Sequence, residues 1–306
     1  MQSASWLSEV PQRLSVSTDQ VTVTNMLLAT DFSECSARAL DFALGIASRY
    51  ESQLHLFHCI DPTPYRLADP DVVWKTRDDA QSELEGLVSR LRDQSRAKNL
   101  EVKVMVEVGD LSEILPQAVK DLDLDLIVVG THGRTGWSKL VLGSVAELAI
   151  DQVFCPVLSV GPSSSRTRIQ QFGPGNILLV SEASTRSQLA EKYAFSLARK
   201  YGSRLTVVDV LENRSGRVVA EVSQIECCQT ELSDSSPNRA LTSLSQLPSE
   251  IGTQSDLILQ VADRTAADLV VLAVPESHRF TERFVSTNSY RVVCGAPCPV
   301  LTVRTR

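Results

Sequence analysis

Three glycines and a serine carry the clearest chemistry in this sequence. In GTHGRTGWSKLVLGS, Gly130 to Ser144, glycines at 130, 133 and 143 and a hydroxyl at 144 follow the apolar run Leu124 to Val129 and precede SVAELAIDQ. The apolar run reads as a buried strand, and the segment after the motif reads as a helix. Backbone without a Cβ lets an anion approach closely, and a helix start supplies N–H donors. This pattern suits the phosphates of a nucleotide.

Composition limits what such a site can belong to. The chain has 306 residues, 43% hydrophobic and 22% charged, enough for two domains each with its own core. A net charge of -7, with no Lys/Arg stripe among aromatics, argues against nucleic acid as a partner. No apolar run reaches the roughly 18 residues of a membrane span, so membrane insertion is not expected. MQSASWLSEV at the start lacks the marks of a signal peptide, and the expected location is cytoplasmic. The seven cysteines include no C-x-x-C pair, and they read mostly as small buried residues, with Cys227 and Cys228 the one candidate for redox chemistry.

The elements that must position the motif follow in order. Residues 1–24 read as a polar tail. NMLLAT from Asn25 is a strand, and Asp31-Phe32-Ser33 turns into a helix whose N-cap is Asp31 or Ser33. In that helix Ala39, Phe42, Ala43, Ile46, Ala47 and Tyr50 form one apolar stripe. QLHLFHCI from Gln53 is a second strand, ended by Asp61-Pro62-Thr63-Pro64. Residues 76–98 read as a charged helix, Glu101 to Val108 as a strand, Leu111 to Lys120 as a short helix, and Pro156 to Val160 as a fifth strand. Strands alternating with helices predict an α/β domain with a mainly parallel five-stranded sheet. Ligands of such sheets bind beyond the carboxyl ends of strands, where Asp31 and Gly130 both lie.

The second half repeats the first. NILLVSEAS at Asn176 copies NMLLATDFS at Asn25, and the two copies stay in step without a gap as far as Glu212 and Asp61. Later the register shifts by eight residues, so ADLVVLAV at Ala267 matches LDLIVVGT at Leu124 and CPVLTV at Cys298 matches CPVLSV at Cys155. The predicted division is residues 1–24, 25–160, a linker at 161–175, and 176–306. Residues 212–252 give no confident third strand. PVLSV and PVLTV would be sheet edges, and pairing them within one chain satisfies both. Further association of two chains is left open.

Two copies of a strand ending in an acidic residue, a long amphipathic helix, G-x2-G-x9-G-S and a closing CPVL resemble the universal stress protein family. The resemblance runs from Asn25 to Val303, close in the first copy and degenerate in the second. It implies two tandem Rossmann-like domains of the adenine nucleotide alpha hydrolase type, and ATP binding, with or without Mg2+. It also implies a nucleotide-binding set of Ala29, Thr30, Asp31, Ile60, Gly130, His132, Gly133, Gly143, Ser144 and Val145. Asp31 would serve the ribose and adenosine region, the Ile60 backbone the adenine, and the backbone from Gly130 to Val145 the phosphates. A carboxylate suits ribose hydroxyls, and glycine amides suit anions.

The second copy has Ala273, Glu276 and Ser286 where the first has its glycines, keeps Thr287, and has Glu182 in place of Asp31. One nucleotide per chain is therefore expected, in the first copy. Simpler roles stand beside these: Asp31 as a helix cap, and His55 and His58 as packed histidines; Arg134 and Lys139 are open between neutralising phosphates and surface solvation, and Trp137 between covering a nucleotide and covering a partner. No P-loop, H-x-G-H, S-G-G-x-D-S or G-x-S-x-G sequence occurs, so a dedicated enzyme is not expected. At most the resemblance implies slow ATP hydrolysis or self-phosphorylation, with Ser144 or Thr135 as acceptor. A stress-response regulator gated by ATP is the leading reading; a nucleotide-independent, chaperone-like or partner-binding protein is the alternative.

Overall fold

The computed structural model describes residues 20–65, 70–94, 97, 99–132, 142–164, 173–181, 188–212, 218–226, 242–248, 253–275 and 288–305. Apolar Asn25–Ala29 forms β1, and Ser33 caps α1 (Glu34–Tyr50) by accepting the Ser36 amide at 3.2 Å. Glu51, in the left-handed region at φ 57°, closes that helix. Ala39, Phe42, Ala43, Ile46 and Ala47 are buried, as the stripe predicts.

The first half continues through β2 (Gln53–Ile60), α2 (Pro70–Asp93), β3 (Val102–Val108), α3 (Leu111–Asp121), β4 (Leu126–Gly130), α4 (Ser144–Gln152) and β5 (Val157–Val160). α2 begins earlier than its charged pattern suggests, because Pro70 and Asp71 suit the first turn of a helix. The second half is β6 (Asn176–Ser181), α5 (Gln188–Tyr201), β7 (Arg204–Glu212), β8 (Val218–Glu226), β9 (Thr242–Pro248), α6 (Gln254–Arg264), β10 (Leu269–Pro275), α7 (Asn288–Gly295) and β11 (Val300–Thr305).

All these strands join one sheet in the order β3-β2-β1-β4-β5-β11-β10-β6-β7-β8-β9. The strands from β3 to β5 are parallel, and strand order reverses between β1 and β4. The two halves meet where β5 and β11 pair antiparallel, Leu158 opposite Leu301, which is the edge-to-edge pairing expected from PVLSV and PVLTV. Thr302 Oγ1 donates to the Val157 carbonyl at 3.2 Å, and Arg304 donates to the Asp151 carbonyl and stacks 5.0 Å from the Phe154 ring. On α1 and α5, Arg49 lies over the Tyr201 ring and Lys200 over the Tyr50 ring, so each helix lends the other a cation.

The two halves are not identical. In the first, α2 carries the chain back from β2 to a parallel β3. In the second, five residues separate β7 from β8, fewer than a parallel crossover needs, and the two strands pair antiparallel. β9 pairs antiparallel in turn, so among the described residues the second half has six strands rather than five.

Apolar residues line both faces of the sheet and run through both halves. Leu28, Val128, Leu158, Leu301, Val271 and Leu179 belong to one face, and Leu27, Ile127, Val157, Val300, Val270 and Leu178 to the other. Polar braces repeat as well: Asp125 accepts the amides of Thr24 and Asn25, and Asp268 those of Gly175 and Asn176. Residues 20–24, taken above as the end of a tail, are part of the folded body. Val23 is buried and the Val21 amide donates to Ser196 Oγ at 2.8 Å.

Candidate functional site

A cleft of about 500 Å³ opens at the carboxyl ends of β1, β2 and β3 and is closed on one side by the start of α4. That size lies within the roughly 300–1,000 Å³ of small-molecule sites. Ala29, Thr30 and Asp31 reach it from β1, and Ser144, Val145 and Leu148 from α4. The remaining wall comes from Phe57, His58 and Cys59 at the end of β2, Asp61, Pro62 and Thr63 just beyond it, and Gly109, Asp110 and Leu111 after β3.

The turn after β1 is held from several directions. The Thr30 amide donates to the Phe57 carbonyl at 2.9 Å, and the Phe32 amide to Thr30 Oγ1 at 3.1 Å, with Phe32 in the left-handed region at φ 62°. His58 Nδ1 lies 2.8 Å from the Thr30 carbonyl, and its ring stands 4.8 Å from that of Phe32. His58 is therefore packed and bonded at the cleft wall, and His55 is buried. Asp31 Oδ1 accepts the Ser33 amide at 3.0 Å. Burial pushes the Asp31 carboxyl up, but hydrogen bonds from Ser33 and Ser36 outweigh it and hold the group below the usual carboxylate range.

The helix start is the other half of the cleft. The Gly143 amide donates to the Thr131 carbonyl at 2.7 Å, which clasps the beginning of α4 to the end of β4. Gly143 is the N-cap of α4, at φ -63° and ψ 147°, and provides no side-chain acceptor. The first-turn amides of α4, from Ser144 and Val145, thus stand at the cleft with no cap supplied by position 143.

Gly130 has a different reason for being glycine. A Cβ there would lie 2.9 Å from the Cys35 carbonyl carbon and 2.9 Å from the Ser36 nitrogen. The first turn of α1 sits directly on this residue, so Gly130 serves helix–strand packing, and it does not line the cleft. His132 is bound to its neighbour, Nδ1 2.9 Å from Thr131 Oγ1, and its carbonyl accepts Ser33 Oγ at 3.3 Å. Ile60 is buried in β2 and its carbonyl accepts the Gly109 amide at 3.0 Å; its neighbours Cys59 and Asp61 line the cleft instead.

Gly133, Arg134, Thr135, Trp137 and Lys139 lie outside the described residues, as do Cys227, Cys228, Glu182, Glu276, Ser286 and Thr287. Of the positions compared between the copies, Ala273 is described, on β10 beside Val303 of β11.

The walls are acidic. Asp61 Oδ1 accepts the Thr63 amide at 2.8 Å, and Asp110 caps α3 by accepting the Ser112 amide at 2.8 Å. Burial first, then the charges of Glu107, Asp61 and Asp110, push the Cys59 thiol up to about 11. Among the described residues, no Lys or Arg lines the cleft, and no three His, Cys, Asp or Glu converge as a metal site. No described helix is long and apolar enough to cross a membrane.

Comparison with known proteins places this architecture. The profile of the Universal stress protein family matches residues 22–161 and 174–304. A universal stress protein of Methanocaldococcus jannaschii is 32% identical over 138 residues, spanning 44% of this chain and 80% of that protein. The crystal structure of a universal stress protein from Archaeoglobus fulgidus is similar in fold, with a TM-score of 0.67 at 17% identity over 93% of this chain and 97% of that one. A structure from Pseudomonas aeruginosa PAO1 aligns at TM-score 0.58 and 15% identity over 92% and 93% of the two chains. With both halves matched, the chain belongs to the universal stress protein family.

Proposed function

We propose that the cleft of the N-terminal half binds one ATP, that the C-terminal half binds none, and that the bound state regulates a stress response. The observation that carries this reading is the meeting of Asp31 and the start of α4, to which Gly143 supplies no side-chain cap, in one cavity of about 500 Å³. The first offers acceptors to ribose hydroxyls, and the second offers amides and a helix dipole to phosphates. Asp31, Asp61 and Asp110 would repel a bare polyphosphate, so ATP complexed to Mg2+ fits better than free ATP. In the second half Ala273 takes the place of Gly130, and the sequence puts Glu276 and Ser286 where Gly133 and Gly143 stand. The hydroxyl–imidazole contact of Thr131 and His132 lies outside the cleft lining, and the reading is a binding module, with at most slow hydrolysis of ATP or self-phosphorylation.

Titration calorimetry of the full chain with Mg·ATP tests this, together with Gly143→Asp. The extended backbone of Gly143 accepts an aspartate, whose carboxylate caps α4 itself and repels phosphate. The expected result is one site per chain, lost in the variant, with thermal stability level or raised by a few tenths of a kcal/mol. Two sites, or unchanged binding in Gly143→Asp, would sink the assignment. No binding at all would favour the nucleotide-independent reading.

A further inference from the structure

The amide of Leu142, one residue before the N-cap of α4, donates to the hydroxyl of Tyr290 at 3.0 Å. Tyr290 belongs to α7, in the half that lacks the glycine motif. Leu142 is 3% exposed and Tyr290 9%, and both lie in the core that contains Ala146, Val293 and Cys294. The next amide, from Gly143, is taken by Thr131 of the first half. Two successive amides before α4 are therefore fixed, one by each half of the molecule, and they set the direction of the amides that follow at Ser144 and Val145. In the register that aligns Cys155 with Cys298, the first copy has Glu147 opposite Tyr290, so the phenol is particular to the second copy.

We propose that Tyr290 is a positioning residue for phosphate binding: the C-terminal half, which binds no nucleotide, holds the start of α4 in the orientation that receives the phosphates. The inference rests on the reading of the cleft as an ATP site. Tyr290 touches no ligand in this scheme and acts through the Leu142 amide. It therefore affects ligands in proportion to their use of the α4 amides, so ATP and ADP depend on it and adenosine does not.

Tyr290→Phe in the full chain keeps the ring and deletes the hydroxyl. Losing one hydrogen bond to a buried amide should weaken Mg·ATP and ADP about fivefold, with adenosine binding, followed by NMR titration, unaltered. Amide hydrogen exchange without ligand should quicken at Leu142 while strand amides such as Val128 and Leu158 keep their protection. Equal weakening of ATP and adenosine, or unchanged ATP affinity beside a wild type that binds, overturns the positioning role alone. A wild type that binds no ATP sinks the ATP reading and this role with it, and exchange at Leu142 still reports on the tether.

Discussion

Replacing Gly130 by alanine separates packing from ligand binding. The added carbon would sit 2.9 Å from two backbone atoms of α1, the Cys35 carbonyl carbon and the Ser36 nitrogen, and 3.1 Å from Cys35 Cβ. Carbon contacts settle at about 3.5–4.0 Å, so the first turn of α1 must retreat by roughly 0.5–1 Å. Neither obstructing backbone atom can swing aside as a flexible side chain would. The retreat also strains the Ser33 cap and the Gly130 end of β4. A cost of roughly 2–3 kcal/mol follows, in the upper part of the range for overpacked sites. With a urea slope of about 3 kcal/mol/M, the unfolding midpoint of the nucleotide-free protein should fall by roughly 0.7–1 M. Equilibrium unfolding followed by circular dichroism measures this directly. An unchanged midpoint in the absence of nucleotide, accompanied by loss of ATP affinity, would refute the packing role and return Gly130 to the ligand.

Two further outcomes follow from the titrating groups of the cleft. Cys59, raised to about 11, should alkylate with iodoacetamide slowly at neutral pH, faster as pH rises toward that value, and more slowly again with ATP bound, read by mass spectrometry; equal rates with and without ATP would place the nucleotide elsewhere. The Asp31 carboxyl is held below the usual carboxylate range, so its contribution to stability is complete above the unfolded value and is lost as pH falls through the lower folded one. Asp31→Asn should therefore flatten the loss of stability below about pH 4 in urea unfolding, and an unaltered acid limb would show that Ser33 and Ser36 do not favour the charged form.

Periodicity exposed most of the first half because its elements bury one-sided patterns. The stripe from Ala39 to Ala47 packs on the sheet, and NMLLA and LDLIVV are strands covered on both faces. The repeat was legible because both copies solve the same packing problem, down to the Asp125 and Asp268 braces. β8 and β9 were not, since the stretch around them is mostly polar and each takes its place by antiparallel pairing, β8 on β7 and β9 on β8. In the site, Ser144 was reached through motif spacing, Asp31 through its place at a strand end together with the family resemblance, and Val145 through the resemblance alone. Phe57, Thr63 and Asp110 came from strand ends that only the sheet order brings together. The Tyr290–Leu142 bond spans 148 residues and leaves no local trace in the sequence. The comparison of the two copies pointed to a ligand at Gly130, and the structure adds a packing demand that the sequence did not reveal, from the α1 backbone.

The antiparallel seam between β5 and β11 has a further consequence because both edges belong to one polypeptide. For two separate chains, such a seam would form only as far as their concentration allowed. Here residues 161–175 connect β5 to β6, and covalent connection of this kind gives an effective concentration on the order of millimolar. The seam is therefore insulated from dilution, and neither half needs an identical partner. Relieved of symmetry, the second copy was free to exchange a parallel crossover for β8 and β9 and to place Tyr290 against the first, while still closing the sheet edge that the first copy cannot leave bare.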